Sequence, residues 1–190
     1  MTNGIKLVTL SAKLFTIMAR NKFKGLGIAL ITPFTQDGAV DFPALKRLVT
    51  YQLDNGADFL CILATTGEAP CLTREEKEKI TETVKELAQG RVPILKYCGG
   101  NNTRAVVEEI QNTDWTGIDG ILSICPYYNK PSQEGLYKHF KAISAVSPLP
   151  IVLYNVPGRT GVNLKPDTLV RLARECDNIV AVKEASGSLE

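Results

Sequence analysis

Short runs of apolar and β-branched residues alternate along this chain with longer stretches in which apolar residues recur every three to four positions. The runs Gly27–Thr32, Phe59–Ala64, Val92–Lys96, Gly120–Ile124, Ile151–Tyr154 and Ile179–Lys183 predict strands. Between them the helical period covers Phe42–Asn55, Thr73–Ala88, Thr103–Thr113, Ser132–Val146 and Lys165–Glu175. Thr73 followed by Glu76 reads as a capping box, Ser132 as a cap, and Pro166 suits a first helical turn. Strand starts lie 32, 33, 28, 31 and 28 residues apart, the length of one strand, one helix and two loops. The pattern is therefore six successive βα units, whose parallel strands pair through right-handed helical crossovers.

Six such units build either a doubly wound sheet or part of an eight-stranded barrel. No G-x-G-x-x-G follows the first strand and no G-x-x-x-x-G-K-[ST] occurs, so the phosphate-cradling loops of nucleotide-binding open sheets are missing. The fold class expected is α/β, a TIM (β/α)8 barrel of which about the first six βα units are present. In that architecture chemistry gathers at the C-terminal ends of strands. Here those ends carry Thr65-Thr66-Gly67-Glu68, Tyr127-Tyr128-Asn129, Tyr154-Asn155 and Lys183-Glu184.

Composition narrows the partners. The 190 residues are 44% hydrophobic and 22% charged, enough for one sizeable core. Interspersed charges summing to +2 leave no footprint for nucleic acid or anionic lipid, and no stretch reaches the length of a membrane span. A small-molecule substrate is the default. Five cysteines without a CxxC pair and a single histidine assemble no familiar metal site, so neither a metal nor a cofactor is expected. The cysteines read as buried or half-buried free thiols in a reducing cytoplasm. Residues 1–22 read as an N-terminal extension, unstructured or arising from a mis-assigned start with Met18 as the true one, and 23–190 as the catalytic domain.

Lys183 closes the run Ile179-Val180-Ala181-Val182, which places its amine at the mouth of an apolar barrel. Desolvation there would favour the neutral amine, able to attack a carbonyl. The plainer alternative is a lysine that snorkels to solvent or pairs with Glu184, and Lys96 at the third strand end is a rival. Tyr154, one βα unit earlier, is placed to relay protons for Lys183. Thr65 and Thr66 offer hydroxyls and N–H groups for a carboxylate such as that of a 2-oxo acid, and Arg159 offers a bidentate fork for a second one. Taken singly, each is equally readable as a packing tyrosine, a loop or a solvated arginine.

Taken together, G-L-G-I-A-L-I-T-P-F at 25–34, T-T-G-E at 65–68, P-Y-Y-N-K-P-S-Q-E-G at 126–135, Y-N-V-P-G-R-T-G at 154–161 and V-K-E-A-S-G at 182–187 resemble the dihydrodipicolinate synthase and N-acetylneuraminate lyase family. The resemblance runs from about Phe23 to Glu190. It implies that Lys183 forms an imine with pyruvate, that Tyr154 and Thr65 relay protons, and that the Thr65–Thr66 backbone holds the pyruvate carboxylate. It also implies that Tyr128 completes the relay from a neighbouring subunit of a homo-oligomer, a dimer or a dimer of dimers. Arg159 in its motif points to condensation with L-aspartate 4-semialdehyde, in the biosynthesis of lysine and diaminopimelate. The alternatives within the family are an N-acetylneuraminate lyase or a 2-keto-3-deoxy sugar acid aldolase, and outside catalysis a barrel fragment without activity.

The chain departs from the family at Ala64, where glycine is usual, and at Lys96 and Tyr97, where small residues are usual. Positions matching a lysine-binding cleft include Ala69, Arg74, Lys77, Asn101 and Tyr127, and its two cations predict weak or absent feedback by lysine. Complete relatives have eight βα units and a C-terminal helical region. The resemblance therefore implies a piece of a longer protein with strands one and six as open edges, marginally stable, prone to aggregate and poorly active or inactive.

Overall fold

The computed structural model describes residues 22–188; of the expected extension at 1–22, residues 1–21 lie outside the described residues. The chain divides into two compact units, one formed by Lys22–Tyr97 with Trp115–Asp119 and the other by Cys98–Asp114 with the chain from Gly120 onward.

The first unit contains strands β1 (Gly27–Ala29), β2 (Phe59–Ile62) and β3 (Ile94–Tyr97) and helices α1 (Phe42–Asp54) and α2 (Arg74–Ala88). Its strands are parallel and in chain order, with Ile28 opposite Leu60 and Cys61 opposite Leu95. Helix α1 starts where the Asp41 carboxylate accepts the Ala44 N–H at 2.8 Å, and it buries Leu45 and Val49, one turn apart. The capping box at the start of α2 is formed as expected: Thr73 Oγ1 accepts the Glu76 N–H at 3.2 Å and the Glu76 carboxylate accepts the Thr73 N–H at 2.8 Å. Two of these strands depart from the bounds of their apolar runs. Strand β2 stops at Ile62 because Leu63 takes the left-handed φ of +57°, and β3 starts only at Ile94, directly after Pro93, which has no N–H for the ladder.

The second unit contains β4 (Gly120–Ile124), β5 (Ile151–Asn155) and β6 (Ile179–Glu184), with α3 (Thr103–Asn112), α4 (Gln133–Val146), a single turn α5 (Pro157–Thr160) and α6 (Pro166–Glu175). Every residue of β4 and β5 is buried, which fits parallel strands covered on both faces. Strands β4 and β5 pair in step, with Ile124 opposite Tyr154. Strands β5 and β6 do not: Ile151 faces Ile179, but Val152 faces Ala181, leaving Val180 as an extra residue. Beyond this bulge Tyr154 faces Lys183 and Asn155 faces Glu184.

Ser132 caps α4 as expected, its hydroxyl accepting the Gly135 N–H at 3.2 Å. Helix α6 has no side-chain cap of its own at Lys165. Gln133 of α4 supplies the missing partner: its Oε1 accepts from the Lys165 N–H at 3.1 Å and the Thr168 hydroxyl at 2.7 Å, while its amide donates to the Asn163 carbonyl at 2.8 Å. On the outer side, Tyr137 donates to Glu175, Lys141 donates to both at 2.6 and 2.8 Å, and the Arg171 guanidinium stacks 3.4 Å from the Tyr137 ring centroid. His139, 3% exposed, meets the Thr103 hydroxyl through Nδ1 at 2.8 Å and Phe140 edge to face, while its Nε2 has no hydrogen-bond partner among the described residues. Burial pushes its pKa down to about 4.

Candidate active site

Lys183 stands on β6, half-buried, with Nζ 4.6 Å from the centroid of the Tyr154 ring. At that distance the face of the ring attracts a cation and holds the amine on the Tyr154 side of the sheet. The two residues that the spacing paired are therefore neighbours, and the bulge makes them so. Without the extra residue, Tyr154 would face Val182 and Lys183 would point to the opposite face.

Glu184 does not pair with Lys183, the alternative open to the sequence. Successive side chains on a strand point to opposite faces, and the Glu184 carboxylate accepts from Asn155 Nδ2 at 2.8 Å and from the Ser186 N–H at 2.8 Å. Burial would raise the pKa of Glu184, but the hydrogen bonds from Asn155 and Ser186 outweigh it and hold the carboxyl below its ordinary range. Asn155, 1% exposed, also donates to Asn163 Oδ1 at 2.7 Å and accepts the Leu164 N–H at 3.0 Å. A backbone N–H only donates, so the Leu164 contact identifies the Asn155 oxygen and leaves its NH2 for the two acceptors. Burial, then the neighbouring Glu184 carboxylate, pushes the Cys125 thiol up to about 12, which leaves it protonated and inert. Cys61, Cys98 and Cys176 are buried as well, whereas Cys71 is exposed, more open than the sequence reading had it.

Arg159 lies in the turn α5, which begins at Pro157 and ends on Gly161 at a φ of +73°. A Cβ at Gly161 would come within 3.0 Å of the Lys130 side chain, so glycine serves both the left-handed turn and this close approach. The guanidinium is exposed and makes no ion pair among the described residues. Tyr128 is 88% exposed at a left-handed φ of +72°, and among the described residues no ring contact joins it to Tyr154 or Lys183.

In the first unit, Thr65–Gly67 coil into a 3-10 turn immediately after β2, with Thr65 half-buried and Thr66 exposed. Such a start leaves the leading N–H groups of the turn without acceptors of its own. The turn is anchored by the Thr32 hydroxyl, which donates to the Gly67 carbonyl at 2.7 Å in a buried site. A Cβ on Gly67 would crowd the Leu30 carbonyl at 3.1 Å, and this is why the third residue of the motif is glycine. Lys96, the rival lysine, has Nζ 5.5 Å from the centroid of the Trp115 ring and is half-buried on β3. Sequence reasoning placed Asn155 and Glu184 among the polar strand ends without a positioning role for either, and passed over Gln133. The available signals were Asn155, a polar residue at the end of the apolar run Ile-Val-Leu-Tyr, and Glu184 at the matching place one βα unit on.

The sequence model of the Dihydrodipicolinate synthetase family matches residues 22–190. The chain is 58% identical over 172 residues to a 4-hydroxy-tetrahydrodipicolinate synthase of Phocaeicola vulgatus, covering 90% of this chain and 58% of that protein. It is 57% identical over 172 residues to the enzyme of the same name in Parabacteroides distasonis, with the same coverage of 90% and 58%. The crystal structure of dihydrodipicolinate synthase from Thermotoga maritima superposes with a TM-score of 0.85 at 43% identity, covering 88% of this chain and 57% of that one. This chain thus spans about 58% of the length of the curated relatives it matches. The likeness gives the fold class as six βα units of a (β/α)8 barrel. Because the family model runs unbroken through both units, from the T-T-G-E turn to the lysine-bearing strand, this chain belongs to the dihydrodipicolinate synthetase family.

Proposed function

We propose that this protein is a Schiff-base lyase that condenses pyruvate with L-aspartate 4-semialdehyde, the 4-hydroxy-tetrahydrodipicolinate synthase reaction. The observation that carries the reading is the amine of Lys183 over the Tyr154 ring, supported by the names of its relatives. In the first step the Lys183 nitrogen adds to the 2-oxo carbon of pyruvate. The carbonyl oxygen then departs as water, leaving a C=N bond to the lysine. Tyr154 carries protons to and from that oxygen, in a relay with Thr65 and with Tyr128 of a second copy of the chain. A tyrosine 88% exposed at a left-handed loop position suits a side chain offered to a neighbouring subunit, in a dimer or a dimer of dimers. The N–H groups of Thr65 and Thr66 hold the pyruvate carboxylate, and the unpaired Arg159 receives the carboxylate of the semialdehyde. We assign catalysis to residues 23–190 and treat 1–22 as an extension. Among the described residues no helix is long and apolar enough to cross a membrane, and the buried thiols suit the reducing cytoplasm.

The test is intact-mass spectrometry of the chain after incubation with pyruvate and borohydride, followed by peptide mapping. A reduced adduct on Lys183 is expected. An adduct on Lys96, or none on any lysine, overturns the assignment for this chain. Offering the unreduced imine L-aspartate 4-semialdehyde or sugar aldehydes before borohydride is added then separates the synthase from the sugar acid aldolases, since only the former consumes the semialdehyde, frees the lysine from trapping and gives a product with a second carboxylate.

A further inference from the structure

The bulge between β5 and β6 raises a question of register. Strand β6 opens with the apolar run Ile179-Val180-Ala181-Val182, of which only Ile179 is fully buried, so a one-residue slip of the rest exchanges half-buried or exposed apolar side chains for one another. One register has a residue to spare at Val180 and puts Lys183 opposite Tyr154; the other has none and puts Lys183 opposite Asn155, on the wrong face. Something beyond the apolar side chains must choose between them.

The choice is made at the strand ends. In the observed register Asn155 and Glu184 are opposite each other, and the Asn155 NH2 donates to the Glu184 carboxylate at 2.8 Å. Asn155 is fixed against the second unit's own frame by its NH2 to Asn163 at 2.7 Å and its oxygen to the Leu164 N–H at 3.0 Å, and its backbone carbonyl accepts the Ala185 N–H at the end of the lysine strand at 2.9 Å. Glu184 is fixed in turn by the Ser186 N–H at 2.8 Å. A slip to the unbulged register would place Lys183 where Glu184 stands. An ammonium has no acceptor for the Asn155 NH2, so the buried amide would lose one of its two acceptors.

We propose that Asn155 and Glu184 are positioning residues that hold β6 in its bulged register and thereby present Lys183 to Tyr154. The assignment rests on reading Lys183 as the imine-forming lysine. Because Asn163 and Leu164 follow the Arg159 turn by only a few residues, the same amide ties the lysine strand to the segment that carries the arginine. Asn155 touches no reacting atom in this scheme and acts through the strand it holds.

The test uses three variants of the whole chain: E184A, N155D and the exchange N155D/E184Q. E184A removes an exposed side chain and the clamp together. N155D sets two carboxylates against each other. The exchange restores one donor facing one acceptor with the polarity reversed, leaving an oxygen for the Leu164 and Ser186 N–H groups. Register is read by nuclear Overhauser contacts from the Tyr154 ring to the side chain of Lys183 or of Val182, and imine formation by the rate of borohydride-trapped pyruvate on Lys183. E184A and N155D are expected to shift Tyr154 contacts toward Val182 and to slow trapping by about tenfold or more. The exchange is expected to recover both readouts to within about threefold of the parent, a non-additive rescue that loss of stability alone does not give. Unchanged contacts and trapping rate in E184A, or an exchange variant no better than N155D, overturn the proposal. Should the parent chain trap no pyruvate while the contacts shift and recover as described, the clamp stands and the Schiff-base reading falls.

Discussion

Lowering the pH from about 7.5 to about 5 is expected to destabilise this chain by roughly 2 kcal/mol through His139 alone. Burial against α3 and α4 holds the folded pKa at about 4, while an unfolded histidine titrates near 6.5. Between those values the unfolded chain binds a proton that the folded chain refuses, so stability rises with pH and is lost as pH falls. Each unit inside the window costs about 1.4 kcal/mol, and a pH of about 5 lies some one and a half units into it. Glu175 does not blur this window. Glu175, held down to about 2 by Lys141 and then Tyr137, loses its contribution only as pH falls below the ordinary carboxyl range. Urea unfolding at the two pH values isolates the effect when the parent is compared with H139N, which keeps a partner for Thr103 but does not titrate. The parent is expected to lose roughly 2 kcal/mol more than the variant. The sequence contains a single histidine, so ring nitrogen resonances read its protonation without assignment. Equal losses in parent and variant, or an imidazole titrating near its ordinary value in the folded protein, refute the reasoning.

Y154F removes the proposed proton carrier while keeping the ring under Lys183; we expect pyruvate trapping slowed by roughly a hundredfold with the urea midpoint nearly unchanged. The buried Ser123 hydroxyl has no hydrogen-bond partner among the described residues, so S123A is expected to leave stability within about 0.5 kcal/mol or raise it, measured by the same urea curves. T73A breaks the capping box of α2 and is expected to cost about 1 kcal/mol. Free L-lysine is expected to leave the trapping rate unchanged, and inhibition at low lysine concentration would contradict the charge argument built on Arg74 and Lys77.

The six βα units were legible because strand starts recur at nearly constant spacing and each helix brings its own local signals, such as Thr73 with Glu76 and Ser132. The Lys183–Tyr154 neighbourhood was legible for the same reason: one unit separates two strand ends. Its cause was not. An extra residue at Val180 leaves no trace in an unbroken apolar run, since alternation cannot register a bulge where every side chain is of one kind. Leu63 escaped too, because nothing in a leucine announces a left-handed backbone. Asn155 and Gln133 take partners some thirty residues away, and that choice is made by the packed units rather than by local sequence.

Gln133 sits in the first turn of one helix and completes the first turn of another. Neither helix start can fray without stripping hydrogen bonds from its neighbour, so α4 and α6 are coupled in their opening rather than independent. In amide exchange their leading turns are expected to open as one cooperative unit, with the chain between them, which carries β5 and the Arg159 turn, enclosed by that unit at both ends.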